Sequence, residues 1–150
     1  MTEIFENINP FILGLLISLG IGLILGLERE YDKLKEEQGF AGIRTFPIVA
    51  IIGFILGNLT TAYTPWLVII ITAAFLLFLA LSHLSIVQKH VMTGITTNMA
   101  LFATLILGVM VANHLHKEAV ATAVIVVTLL SLKTTFNTFI KNITSEELFA

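Results

Sequence analysis

The chain has 150 residues, of which 57% are hydrophobic and 12% charged, with a mean hydropathy of +0.97. A soluble domain of this size needs more polar surface than that, so the simplest solvent for it is lipid. The net charge of −2 gives no basic footprint for nucleic acid, and the lack of cysteine excludes disulfides, thiolate metal sites and cysteine catalysis. The first ten residues carry Glu3 and Glu6 but no Lys or Arg. A secretory signal peptide begins with a basic region, so the first apolar stretch reads as a retained span.

Five apolar segments follow in chain order, at 10–27, 46–62, 66–81, 98–112 and 119–140. Each approaches the roughly 20 residues that cross a bilayer core. They are apolar on all sides, which argues against barrel strands with their period of two. The expected fold is all-α: one integral membrane bundle of five transmembrane helices over residues 1–150. Thr60–Pro65 and His114–Glu118 read as tight turns. Leu81–Thr97 reads as a medium loop whose His83–Met92 part forms an interfacial helix. The longest polar stretch, Glu28–Arg44, holds half of all the charge.

Basic residues orient such a bundle. With five spans, Arg29, Lys33, Lys35, Arg44, Lys89, Lys133 and Lys141 fall on one side, and only Lys117 falls on the other. The expectation is an N-terminus outside and a C-terminus in the cytoplasm. Gly42-Ile43-Arg44-Thr45 before the second span and Gly94-Ile95-Thr96-Thr97 before the fourth hint at an internal repeat.

The first span carries small residues at every fourth position: Gly14, Ser18, Gly22 and Gly26. Such a ridge lets a neighbouring backbone approach closely. It reads as a packing surface within the chain or as a homodimer seam, with Gly20 on another face. If this helix continues, Arg29 falls near the middle of the ridge, and Glu28 and Glu30 sit about 100° to either side. Charge at a membrane border needs a partner or water. The cluster is either interfacial anchoring or a site that binds an ion or gates a path. Its two carboxylates are candidate hard oxygen ligands for magnesium or another divalent cation.

Thr45 and Thr97 look like helix N-caps, with Pro47 in the first turn that follows Thr45. With Arg44 and the flexible Gly39 and Gly42 they make helix starts able to attract an anion, or Glu28 and Glu30, and Thr96 and Asn98 are further candidates there for ion binding or gating. Lys133 lies in a polar half-span among Ser131, Thr134, Thr135, Asn137 and Thr138. It either snorkels to the interface or pairs with Glu28 or Glu30 at the same depth. The histidines show no zinc spacing, and no nucleotide or nucleophile motif is present, so no enzymatic activity and no bound cofactor are expected.

Gly26-Leu27-Glu28-Arg29-Glu30 followed by Ala41-Gly42-Ile43-Arg44-Thr45 resembles the MgtC/SapB family, whose hallmark is G-L-E-R-E and then A-G-L-R-T. Gly94-Ile95-Thr96-Thr97, with Gly108 later in the helix, is similar to the family's G-L-T-T segment. Leu132-Lys133 and then Ser145-Glu146-Glu147-Leu148 look like the junction in longer relatives, whose second half is another multi-span domain. The small cytosolic C-terminal domain of MgtC has no counterpart here. The resemblance implies a multi-pass protein of a prokaryotic inner membrane, with five spans and its N-terminus out. It implies a link to magnesium and ion homeostasis and to restraint of the membrane ATP synthase. It also marks Glu28, Arg29, Glu30, Arg44, Thr45, Thr96 and Thr97 as the residues to examine. Three functions follow as expectations. The chain is an ion or small-solute transport module, or a half-transporter completed by a second copy or a second membrane domain. Alternatively it regulates another membrane complex, such as the ATP synthase.

Overall fold

The structure, a computed structural model, describes residues 9–36, 41–62, 65–87 and 95–142. Among them are five α-helices and no strand: α1 (Pro10–Glu36), α2 (Thr45–Ala62), α3 (Pro65–Val87), α4 (Ile95–Ala112) and α5 (His116–Asn142). One stretch, Pro10–Asp32 within α1, is long and apolar enough to cross a membrane. Thr45–Thr60, Ile69–Leu81 and Thr96–Ala112 are shorter apolar helical stretches.

Three boundaries differ from the sequence reading. The apolar run of α1 ends at Leu27, yet the helix continues to Glu36. Glu, Arg, Lys and Leu are good helix formers, and helical hydrogen bonding does not depend on hydropathy. Half of the expected polar loop is therefore helix. His83 belongs to α3, which runs on to Val87 in place of a loop; the rest of the expected interfacial segment lies outside the described residues. Thr97 sits inside the first turn of α4, which already begins at Ile95, rather than ahead of it.

The α4–α5 turn falls where the sequence placed it. The Leu115 N–H reaches the Met110 carbonyl at 3.1 Å and the His114 N–H reaches that of Val111 at 3.1 Å. This is the Schellman pattern, and it places His114 in the left-handed region at φ 62°.

The core is built around α2 and α4, which form the most extensive helix pairing among the described residues. They run parallel with their backbones in contact. A side chain on Gly53 would meet the Leu105 carbonyl, with the Gly108 Cα 3.2 Å away. A side chain on Gly108 would meet the Ala50 carbonyl, with the Phe54 nitrogen 2.8 Å away. One turn later Gly57 opposes Ala112, and the Val109 Cα is 3.2 Å from the same position. Only small residues permit this approach.

Helix α1 lies antiparallel against α2. Gly14 faces the Phe54 ring, Gly22 faces the Pro47 backbone, and Gly26 comes within 3.0 Å of the Ile43 Cα at the position a Cβ would take. Ser18 is fully buried between them. The small-residue ridge is thus filled from within the chain, and a second copy would find it covered. Gly20 is different: nothing lies within 4 Å of where its Cβ would stand. Helix α5 packs on α4 and α1, whereas α3 touches only α2 and, at its margin, α4 among the described residues. Large apolar side chains stay exposed on the outside of α1, α3 and α5, with Trp66 70% and Leu129 63% accessible. That is the surface expected of a helix bundle whose exterior meets lipid.

Candidate functional site

The polar residues gather where α1 ends and α2 begins. Ser18, Ile21, Gly22, Leu25, Arg29 and Asp32 recur at three- and four-residue spacing, and all are buried. They form the inner face of α1. Because the helix continues unbroken, that face carries a charged pair into the bundle.

Arg29 is 6% exposed and donates through Nη2 to Asp32 Oδ2, one turn further on. A buried guanidinium keeps its charge, so Asp32 supplies the counter-charge that its setting requires. The Arg29 Nε is also buried and has no hydrogen-bond partner among the described residues.

The flanking carboxylates turn to different neighbours. Glu28 Oε1 accepts a 2.6 Å hydrogen bond from the Ser131 hydroxyl, joining α1 to α5. Glu30 Oε2 accepts the Ile43 N–H at 3.3 Å, joining α1 to the segment that opens α2. Two residues along a helix is about 200° of rotation, so the two carboxylates necessarily diverge. A side chain on Gly42 would run into Glu30 Oε2, which ties that glycine to the same contact. The start of α2 is pinned further by the Thr45 N–H to the Gly42 carbonyl at 3.0 Å.

Of the residues proposed from sequence, the structure brings together Glu28, Arg29, Glu30 and the residues on either side of Arg44 and Thr45. Arg44 itself points into the open, and Thr45 is half-buried as the first residue of α2. At the start of α4, Thr96 is exposed, while Thr97 and Asn98 are half-buried. Lys133 lies on α5 by its backbone; its expected pairing with Glu28 or Glu30 falls on side chains outside those described. Glu28 and Glu30 do not converge on one point. Among the described residues no group of three or more His, Cys, Asp or Glu is placed to hold a metal ion.

Two partners were not foreseen. Asp32 was legible as an acid three residues after Arg29, the spacing at which helical side chains meet. Ser131 stood in the polar half of the last span, at the depth at which Glu28 and Glu30 were expected to find a partner.

A model of the MgtC family matches residues 15–139. The chain belongs to the MgtC family. No curated protein and no solved structure matches it. The MgtC family is membrane-associated, in keeping with the apolar α1. In this MgtC chain the two motif stretches, Gly26–Glu30 and Ala41–Thr45, are one physical unit. Gly26 abuts Ile43, Glu30 binds the Ile43 N–H, and Ala41 is 2% exposed.

Proposed function

We propose that this chain is a five-span module of a prokaryotic inner membrane, with its N-terminus outside, that moves or admits an ion or small solute linked to magnesium homeostasis. The observation that carries this reading is the buried Arg29–Asp32 pair, set beside the carboxylate contacts that join α1 to α5 and to the segment opening α2. Ionisable groups inside a membrane bundle are costly and mark pathways. Glu28 and Glu30 accept hydrogen bonds from neutral donors, the Ser131 hydroxyl and the Ile43 N–H, and a cation is the cargo such carboxylates would attract.

The carboxylates turn to separate partners rather than gathering into a chelate. Magnesium keeps several of its waters and binds through one or two carboxylates, so a hydrated ion suits this arrangement. In this reading Glu28 and Glu30 exchange their Ser131 and Ile43 contacts for the ion's water shell as it passes. Arg29 and Asp32 set the local field.

The test is flux into proteoliposomes holding the purified chain, with magnesium and monovalent cations assayed separately. Glu28→Gln and Asp32→Asn are expected to lower cation flux at least tenfold while the protein still inserts. If no ion moves through the wild-type chain, or if both variants match it, the reading is lost.

A further inference from the structure

Helix α4 runs parallel to α2, so its last turn lies at the end of the bundle away from Arg29. There the α4–α5 turn holds two imidazoles close together. His114-Leu115-His116 is not the four-residue spacing by which a helix pairs its ligands, so the letters alone show no metal motif. The backbone makes the pair. The His114 N–H binds the Val111 carbonyl at 3.1 Å, the Leu115 N–H binds that of Met110 at 3.1 Å, and the Leu115 carbonyl accepts the Ala119 N–H at 3.0 Å. These bonds fix the base of each ring, His114 in the left-handed region at φ 62° and His116 as the first residue of α5. The ring centroids lie 6.0 Å apart, with their planes at 87°.

Two features of this pair call for an explanation. Glycine is the usual occupant of the left-handed position that ends a helix, and a side chain there is costly. Backbone departures that persist in spite of their cost gather at ligand clamps and similar sites. The second feature is the His116 Nδ1, which is buried and has no hydrogen-bond partner among the described residues. A neutral imidazole offers one lone pair, and a metal ion is a partner that two neighbouring imidazoles can share. The spacing suits such sharing. Two metal–nitrogen bonds of roughly 2.0–2.1 Å, added to the half-width of each ring, hold the centroids of two imidazoles on one ion about 5–6 Å apart. The exposed His114 ring can reach that spacing by side-chain rotation alone. Beside the pair, Lys117 and Glu118 are both exposed and opposite in charge, and the carbonyl end of α4 meets the N-terminal end of α5 across the turn. Neither local charge nor the helix dipoles therefore weigh against a cation.

We infer that His114 and His116 bind one divalent transition ion of the copper(II) and zinc class, each through an imidazole nitrogen, with water in the remaining positions. Imidazole suits such ions, whereas magnesium takes oxygen ligands and keeps its water. No third His, Cys, Asp or Glu joins the pair among the described residues, so the site is open and the ion exchanges with the medium. It is separate from the Arg29 cluster in place and in ligand chemistry, and it stands whether or not the chain moves ions.

The test uses the full chain, purified without a polyhistidine tag and held in lipid nanodiscs. Copper(II) alone is titrated in and followed by electron paramagnetic resonance, and zinc alone is followed by calorimetry. The expected result is one ion per chain, with nitrogen couplings from two imidazoles in the copper spectrum and no displacement by millimolar magnesium. His114→Gly, which relaxes the left-handed turn and so keeps the fold, and His116→Gln are each expected to weaken binding at least tenfold and to remove one of the two couplings. The remaining histidines serve as the control, and the double variant His83→Gln with His90→Gln is expected to bind as the wild type does. The wild-type spectrum needs no variant to fold. Absence of saturable binding, displacement by magnesium, couplings from fewer than two imidazoles, or a loss that follows His83 and His90 in place of His114 and His116 overturns the inference.

Discussion

Arg29 is the residue on which the polar end turns. It is buried, and Asp32 pairs with its guanidinium one turn further along α1. Removing one member of such a pair leaves the other buried and uncompensated, which costs about 3–5 kcal/mol. Arg29→Leu and Asp32→Leu are each expected to lose stability on that scale in mixed-micelle unfolding followed by circular dichroism. The double variant is expected to lose less than either single one. Additive losses would mean that the two side chains are not coupled. His114 offers the opposite case. A left-handed residue with a Cβ costs roughly 1–2 kcal/mol relative to glycine, so His114→Gly is expected to raise the unfolding midpoint, with helix content unchanged. At this scale the sequence was readable where a motif spelled out the chemistry: Glu28, Arg29 and Glu30 stood out by their place at the end of an apolar run. Asp32 did not, because its burial is set by the neighbours of the helix face and not by its own surroundings in the chain.

At the scale of elements, the helices owe their existence to local hydropathy and their arrangement to glycine. Apolar runs located the five helices, since that signal is carried by each segment alone. The extension of α1 to Glu36 was hidden because apolar character and helix propensity part company there. The pairing of helices was hidden for a related reason. A backbone-to-backbone contact constrains only the few small residues at the crossing, so it leaves little trace in the letters between. The prediction at this scale contrasts two glycines. At Gly108 an added methyl meets the Ala50 carbonyl and the Phe54 nitrogen, neither of which can rotate aside. Gly108→Ala is expected to destabilise by about 1–3 kcal/mol. At Gly20 the space is open, and Gly20→Ala is expected to gain up to about 1 kcal/mol from helix propensity. Equal effects at the two positions in the same unfolding assay would refute the packing described here.

For the whole molecule, the division is between a tightly joined pair, α2 and α4, and the helices packed around it. The Ser131–Glu28 bond is the described polar link between α5 and α1, and hydrogen bonds to charged groups are worth about 1.5–3 kcal/mol. Ser131→Ala is expected to speed amide exchange along α5 while leaving α2 and α4 protected. Uniform acceleration across all the helices would show that the bundle opens as one unit. The α2–α4 crossing also sets how the molecule answers its surroundings. Where two backbones touch at Gly53 and Gly108 there is no side chain to compress, re-orient or slide. That point acts as a fulcrum. In the five-span arrangement proposed above, a thicker or thinner bilayer would not part the two helices at their middle; it would scissor their ends, so the strain of hydrophobic mismatch would be delivered to the rim where Glu28, Arg29 and Glu30 stand.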